Sequence, residues 1–164
     1  MNIRKAKSSD AKDIIEINIK TWYSTYKGIV PDDFLKEKEE LKEKNIKKCE
    51  ETVEAKDNVL VAEYDGQVVG IVSYGKAKVI NEKDYGEIYS LYVLDNYQGK
   101  NVGKELFLAA REQLIKKGYS KLVLSCIKAN PSNGFYKRMG GKVVEVIISN
   151  IGGRKIEENV IIFN

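Results

Sequence analysis

The run of residues 86–126 constrains the fold more than any other part of this chain. It begins within "YGEIYSLYVL" (85–94), whose aromatic and β-branched residues predict a strand. A turn containing Gly99 and Gly103 follows, and then an amphipathic helix. The nearly all-apolar "KLVLSCI" (121–127) predicts a second strand in a central position. Two strands joined through a helix form a right-handed crossover, so the sheet is expected to contain a parallel pair.

The other segments predict hairpins, and therefore a sheet that is otherwise antiparallel. Asp65-Gly66 stands between two strand patterns, which indicates a two-residue type I′ turn. Near the C-terminal end, "KVVEVIIS" and "RKIEENVIIF" flank "NIGG" and predict a last hairpin. The remaining long elements are a first strand (2–7), an amphipathic helix (11–26) and a charged second helix over 32–55 that begins just after Pro31.

The predicted order of elements is β-α-α-β-β-β-α-β-α-β-β. It favours an α/β fold of one domain, 1–164, since a chain of this length and apolar content builds one core. We expect a mostly antiparallel twisted sheet of about seven strands with about four helices distributed over its two faces.

Composition excludes several kinds of chemistry. The chain contains no histidine, which rules out Ser-His-Asp and Cys-His catalysis and any histidine-ligated metal, so we expect no metal site. Its 28 basic and 24 acidic residues give a net charge of +4, and lysine and glutamate are interleaved. This pattern suits a small anionic ligand and argues against nucleic acid as a partner.

The chain also lacks the features of a membrane or secreted protein. No apolar run reaches the roughly 18 residues that a membrane helix needs, so no membrane partner is expected. The N-terminal "MNIRKAKSSD" lacks the apolar core of a secretory signal. Cys49 and Cys126 are far apart and have no metal-type spacing, so we expect two buried or incidental thiols in a reducing cytoplasm.

The glycine-rich turn in "LDNYQGKNVGKEL" does not match the common nucleotide motifs. A P-loop needs G-x-x-x-x-G-K-[ST], but Gly99 and Gly103 are one residue too close, and Glu105 replaces the magnesium-binding hydroxyl. A dinucleotide fingerprint fails on spacing and on its position in mid-chain. A helix beginning near Val102 still presents free N–H groups to a phosphate, with Lys100 and Lys104 beside it. An ordinary tight turn between strand and helix is the alternative.

Two motifs together resemble the GNAT superfamily of acyl-CoA-dependent N-acyltransferases. The family's turn, Q/R-x-x-G-x-G/A after a strand ending L-x-V, is matched by the segments Leu91-Tyr92-Val93 and Gln98-Gly99-Lys100-Asn101-Val102-Gly103. The second family motif is an Asn after the fifth strand, followed by Phe-Tyr in the next helix. Asn130 and Phe135-Tyr136 match it. The resemblance covers essentially the whole chain, although the first 60 residues match only in the order of elements.

The resemblance implies acetyl-CoA as cosubstrate and a set of residues that bind it. Backbone N–H groups of residues 99–104 would hold the pyrophosphate, and Val93 would pair with the pantetheine arm where the fourth and fifth strands splay apart. Asn101 departs from the family's glycine but is the residue that next best tolerates a positive φ. The expected cofactor-binding residues are Leu91, Tyr92, Val93, Gln98, Gly99, Lys100, Asn101, Val102, Gly103, Lys104, Asn130, Phe135 and Tyr136.

The resemblance also implies direct attack of an amine on the thioester, with Tyr136 as the acid that protonates the departing sulfur. Packing of Tyr136 in the core is the alternative. Glu87 is the candidate base, since period-2 alternation places it on one face with Tyr89 and Leu91, and a structural carboxylate is the alternative. Cys126 lies in an apolar strand with no histidine to activate it, so we expect a core residue.

The acceptor pocket is expected beside the first two helices and the strand that carries Glu87. Trp22 and Tyr26 are four residues apart and share a helix face, where they would wall the pocket with Tyr89 or simply pack in the core. The predicted substrate is a primary amine: a small amine, a polyamine, an amino sugar or a protein N-terminus. A non-catalytic acyl-CoA-binding module is the alternative function, and a homodimer through the C-terminal hairpin is a further hypothesis.

Overall fold

The computed structural model describes residues 1–164 and shows seven strands in one sheet. The strands are β1 (Asn2–Lys5), β2 (Val59–Tyr64), β3 (Gln67–Lys76), β4 (Tyr85–Val93), β5 (Lys121–Ile127), β6 (Lys142–Ile151) and β7 (Arg154–Phe163). Their order across the sheet is β1-β2-β3-β4-β5-β7-β6. Only β4 and β5 run parallel, and every other neighbouring pair is antiparallel. The predicted α/β class, sheet and parallel crossover are confirmed.

Five α-helices accompany the sheet: α1 (Ala11–Tyr26), α2 (Asp32–Glu40), α3 (Lys42–Lys56), α4 (Val102–Lys116) and α5 (Asn133–Arg138). The single long helix predicted over 32–55 is wrong, because the backbone leaves helical geometry at Leu41. The break lets the two halves bury different faces. Leu35 of α2 packs with Tyr26, and Val53 of α3 packs with α1 nearer its start. No glycine or proline marks this break in the sequence. None of the helices is long and apolar enough to span a membrane.

The sheet separates two apolar layers. Phe107 and Leu114 of α4 pack on one face against strand residues such as Leu124. Residues of α1, α2 and α3 cover the other face in smaller clusters. The hairpin between β2 and β3 turns at Asp65 and Gly66, which both have positive φ (49° and 78°), as the predicted type I′ turn requires.

The parallel pair β4–β5 stays paired only at its beginning. Tyr85, Gly86 and Glu87 pair with Lys121, Leu122 and Val123, and no further pairing follows. β4 continues to Val93 and β5 to Ile127, each held by its other neighbour in the sheet. The two strands therefore diverge and leave a V-shaped opening in the middle of the sheet.

A β-bulge in β4 changes which residues share a face. Ser90 pairs with Ser73 and Ile88 pairs with Tyr74, so Tyr89 is the extra residue. Ile88 and Leu91 therefore both pack on the α4 side of the sheet. Glu87 precedes Ile88 and lies on the opposite face. The expectation that Glu87 and Leu91 share a face is wrong, because strict alternation fails at the bulge.

The edge strand β6 exposes apolar side chains along most of its length. Val144 and Ile148 are 53% and 68% exposed, and Val143 and Val146 are also exposed. The strand lies at the end of the sheet with no neighbour beyond it. Exposed edge strands with few charges are surfaces on which another strand can pair. The homodimer expected at this hairpin stays a prediction.

We expect Val146→Lys to convert a dimer into a monomer, because a buried lysine at a paired edge strand carries a desolvation penalty. Light scattering after size-exclusion chromatography measures the mass. Ile115→Lys is the matched control, since Ile115 is an exposed apolar residue on α4, away from β6. A wild-type protein that is monomeric at all concentrations would contradict the homodimer.

Candidate active site

A cleft of about 730 Å³ lies where β4 and β5 diverge. Residues 88–93 of β4 and 124–127 of β5 form its sides. The glycine-rich turn and α4 contribute Gln98, Gly99, Asn101, Gly103 and Lys104, and α1, α5 and β7 complete the lining. The volume is that of a small-molecule or cofactor site. No cluster of three or more Cys, Asp and Glu side chains is arranged to hold a metal ion.

The turn before α4 has the geometry that an anion site needs. Gly99 and Asn101 both have positive φ, 72° and 65°. Asn101 thus adopts a conformation that glycine takes without steric cost and that asparagine tolerates. Helix α4 begins at Val102, and no side chain caps its N-terminus. The backbone N–H groups of its first turn are therefore not bonded to a capping side chain.

Two predicted members of the turn do not line the cleft. Val102 is buried in the core on the α4 side of the sheet. Lys100 lies outside the lining, with its Nζ atom 5.2 Å from the centre of the Tyr97 ring. Val102 could therefore contact a ligand only through its backbone. Lys104 does line the cleft, and so does Arg138 at the end of α5.

The end of β4 lies along the cleft as the resemblance implies. Leu91, Tyr92 and Val93 all line it. The carbonyl oxygen of Val93 accepts a hydrogen bond of 3.0 Å from Nε2 of Gln98. Because this carbonyl already has a partner, an added strand-like ligand would either displace the Gln98 amide or use other backbone groups of the diverging edge.

Tyr136 is the tyrosine of the cleft whose hydroxyl is free of the protein. Its side chain is buried, lines the cleft and packs against Phe135 at a ring-centre distance of 5.2 Å. The hydroxyl makes no hydrogen bond within the protein, and its oxygen atom is not fully buried. Burial raises the pKa of the Tyr136 hydroxyl, so the group stays protonated at neutral pH.

Asn130 braces the cleft from inside. Its Nδ2 donates to the Tyr26 hydroxyl at 2.8 Å, and its Oδ1 accepts from the backbone N–H of Ser132 at 2.8 Å. The residue therefore joins α1 to the loop between β5 and α5. The sequence could not show this role, because Tyr26 is 104 residues away along the chain. The structure gives Asn130 a structural use, and a contact with cofactor stays a prediction.

Glu87 lies away from the lining of the cleft. Its Oε2 atom accepts hydrogen bonds from the backbone N–H groups of Lys78 and Val79, at 2.5 and 3.1 Å. The side chain is buried and holds the loop that follows β3. Glu87 is therefore a structural carboxylate, as the alternative for this residue predicted, and its position outside the cleft does not suit a general base.

The predicted aromatic residues line the cleft, but their polar atoms already make hydrogen bonds within the protein. Trp22 and Tyr26 lie 4.5 Å apart between ring centres and line the cleft with Tyr89. The Trp22 indole donates to the Tyr92 hydroxyl at 2.9 Å, and the Tyr89 hydroxyl donates to the carbonyl of Lys76. Lys38 already places its Nζ atom 4.4 Å from the centre of the Trp22 ring. A substrate cation on that ring face would compete with Lys38.

Glu158 of β7 is a functional candidate that the sequence reasoning missed. It is the one carboxylate among the residues that line the cleft. A signal existed in "RKIEENVIIF", where alternation places Glu158 on the same side as the buried Ile156 and Val160. An acidic residue at such an inward position is unusual, which makes Glu158 a candidate functional residue.

A family model and curated relatives show what this chain is similar to. The model described as "Acetyltransferase (GNAT) family" matches residues 14–141. An uncharacterized N-acetyltransferase, YuaI, of Bacillus subtilis is 30% identical over 161 residues, which cover 96% of this chain and 90% of that protein. A spermidine N(1)-acetyltransferase of Thermoplasma acidophilum is 29% identical over 148 residues, covering 87% of this chain and 89% of that protein.

Solved structures share the fold across nearly the whole chain. The PaiA N-acetyltransferase of Thermoplasma acidophilum, in complex with coenzyme A, has a TM-score of 0.68 at 24% identity and covers 96% of both chains. The yncA protein of Salmonella typhimurium, with acetyl-CoA, has a TM-score of 0.70 at 22% identity and covers 99% of this chain and 92% of that one. With the family model matched over most of its length, this chain belongs to the GNAT family of acetyltransferases.

Proposed function

We propose that this protein is an acetyl-CoA-dependent N-acetyltransferase that acts on a primary amine. The observation that carries the proposal is the Tyr136 hydroxyl, which is protonated, unpartnered and placed in the cleft between the diverging strands. A binding module needs the cleft but not this hydroxyl. A transferase needs an acid that protonates the sulfur leaving the thioester.

The residues of the cleft fit coenzyme A. The uncapped N-terminus of α4 offers backbone N–H groups and a partial positive charge to a pyrophosphate. Lys104 and Arg138 add two cations among the lining residues. The unpaired length of β4 offers strand-like backbone groups to the amides of a pantetheine arm. Structural neighbours with coenzyme A or acetyl-CoA support this assignment.

The proposed reaction is a direct attack by the amine on the thioester carbon. A histidine-activated thiol is excluded, because the chain has no histidine. Burial, with a smaller contribution from the charge of Glu158, raises the pKa of the Cys126 thiol to about 12. The thiol is therefore protonated at neutral pH and a poor nucleophile. Tyr136 then donates its proton to the departing sulfur.

A polyamine is the acceptor that the comparisons favour. The Thermoplasma relative named for spermidine aligns over most of this chain. The cleft carries one carboxylate, Glu158, on the α1 side of the sheet. Small amines, amino sugars and protein N-termini are the other acceptors to be screened against spermidine.

Replacing Tyr136 by phenylalanine tests the function. We expect Tyr136→Phe to lower kcat about 100-fold or more, because a positioned general acid contributes that much. Acetyl-CoA affinity, measured by calorimetry, should not change, since the ring remains and no protein partner is orphaned. Thiol release with spermidine and the other amines measures the rate.

Tyr74→Phe is the matched control, since Tyr74 is a buried tyrosine that does not line the cleft. We expect this variant to keep the wild-type kcat and the wild-type affinity for acetyl-CoA. A Tyr136→Phe protein with wild-type kcat would contradict the acid role of Tyr136. A wild-type protein that binds acetyl-CoA and acetylates no amine would favour the alternative, a non-catalytic acyl-CoA-binding module.

Substitutions at Asn101 test whether the turn holds the cofactor. Asn101→Gly should keep or raise acetyl-CoA affinity, because glycine adopts the φ of 65° without steric cost. Asn101→Val should weaken it, since a β-branched residue in this conformation costs about 1–2 kcal/mol and distorts the turn. Calorimetric titration measures both. A large loss of affinity in Asn101→Gly would show that the turn has been misread.

Cys126→Ala tests the absence of an acyl-enzyme. We expect kcat to stay near the wild-type value, because the thiol is protonated and buried. Mass spectrometry of the wild-type protein after mixing with acetyl-CoA should show no acetylated Cys126. A loss of activity comparable to that of Tyr136→Phe, together with an acetylated thiol, would overturn direct attack.

A further inference from the structure

Glu158 is a carboxylate without a cation. It forms no ion pair with any Lys or Arg of the chain, although it is half-buried in the cleft. The adjacent Glu157 is exposed and pairs with Lys128 at 3.4 Å. A partly buried carboxylate is costly unless a charge or hydrogen-bond donors compensate it. The cleft therefore has room and a charge for a cationic ligand at this position.

One oxygen of the Glu158 carboxylate is hydrogen-bonded to the protein, and the other oxygen is not. The Ser149 hydroxyl of the neighbouring strand β6 donates a hydrogen bond to Oε2. The other oxygen, Oε1, accepts no hydrogen bond from the protein and is not fully buried. One oxygen is thus fixed in orientation, while the second remains available to a ligand in the cleft.

The groups that face Glu158 set its electrostatic environment. Besides Ser149, the Tyr26 hydroxyl of α1 lies on the same side of the sheet as Glu158, and its pKa is raised mainly by burial and further by the charge of Glu158. The Cys126 thiol of β5 packs on the α4 side, and its pKa is also raised by burial first and by Glu158 second. The cations of the cleft are Lys104 on α4 and Arg138 on α5.

The negative charge of Glu158 and the positive charge of Lys104 lie on different sides of the sheet. Ile127, the partner of Glu158 across β5 and β7, packs with Tyr26 and Ile156 on the side of α1 and α2. Helix α4, which carries Lys104, packs on the other side. An anionic cofactor and a cationic acceptor are therefore attracted to separate parts of the same cleft.

We propose that Glu158 receives the ammonium group of the acceptor and accepts its first proton. The inference rests on the proposed N-acetyltransferase function and names the residue that selects a cationic acceptor. An alkyl amine has a pKa near 10.4 and arrives protonated, so it needs both a counter-charge and a proton acceptor before it can attack.

The proton transfers and bond changes balance as follows. The ammonium gives one proton to Oε1 of Glu158, directly or through a water molecule. The free amine forms a C–N bond with the thioester carbon, the C–S bond breaks, and the sulfur takes the proton of Tyr136. The Tyr136 oxygen then takes the surplus proton from nitrogen. The products are the amide, the thiol of coenzyme A and a protonated Glu158, which returns its proton to solvent.

The test compares Glu158→Gln with Glu157→Gln, which removes the same charge from the adjacent, exposed position. The amide oxygen introduced by Glu158→Gln is able to keep the hydrogen bond from Ser149, so the fold should persist, and circular dichroism checks it. Rates are measured with acetyl-CoA and spermidine, an alanyl peptide or glucosamine, using the amine that the wild-type protein acetylates fastest. Calorimetry measures the affinity of each variant for acetyl-CoA.

We expect Glu158→Gln to lower kcat/KM for the amine about 100-fold or more at pH 7, with unchanged acetyl-CoA affinity. The loss should narrow as the pH rises toward the pKa of the amine, because more acceptor then arrives neutral. A purely structural role would give no such pH dependence. Glu157→Gln should match the wild-type protein.

Equal rates for Glu158→Gln and Glu157→Gln would overturn the role of Glu158 and leave the proposed function intact. So would a loss in Glu158→Gln that is the same at every pH. A wild-type protein that binds acetyl-CoA and acetylates none of the amines would instead overturn the proposed function, and the inference would fall with it.

Discussion

The divergence of β4 from β5 is the feature on which the rest of this structure depends. Both strands keep their outer neighbours, so the sheet stays continuous while its two central strands lose contact after Glu87 and Val123. Backbone groups along a central strand would ordinarily be paired. Their exposure here is tolerated because they line a cleft. The same opening brings together the α4 turn, Tyr136 of α5 and Glu158 of β7.

The chemistry proposed for the cleft depends on three groups, each of which lacks one kind of partner within the protein. The N-terminus of α4 lacks a capping side chain, the Tyr136 hydroxyl lacks a protein partner, and Glu158 lacks a cation. By contrast, Glu87, Asn130 and Tyr89 have their polar atoms engaged by the protein. Groups that a fold leaves unsatisfied are those available to a ligand.

The fold and the conformation of the α4 turn could be predicted from sequence because their signals are local. Asn101 is an example, since its tolerance of positive φ is a property of the residue itself and the structure shows φ of 65°. The break at Leu41 and the bulge at Tyr89 could not be predicted. Neither residue is itself a glycine or a proline, and the bulge shows only in the pairing of β4 with β3. The bulge is also why alternation misplaced Leu91 relative to Glu87. Glu158 could be noticed by its inward position, but its free oxygen depends on Ser149 and the shape of the cleft.

The most direct measurement is a calorimetric titration of the wild-type protein with acetyl-CoA, with coenzyme A, ATP and NAD titrated alongside. Saturable binding of acetyl-CoA and coenzyme A, without comparable binding of ATP or NAD, is the result expected of a cleft built around the α4 turn. Binding of ATP or NAD alone, or of none of the four, would contradict the assignment of the turn and of the residues placed around it.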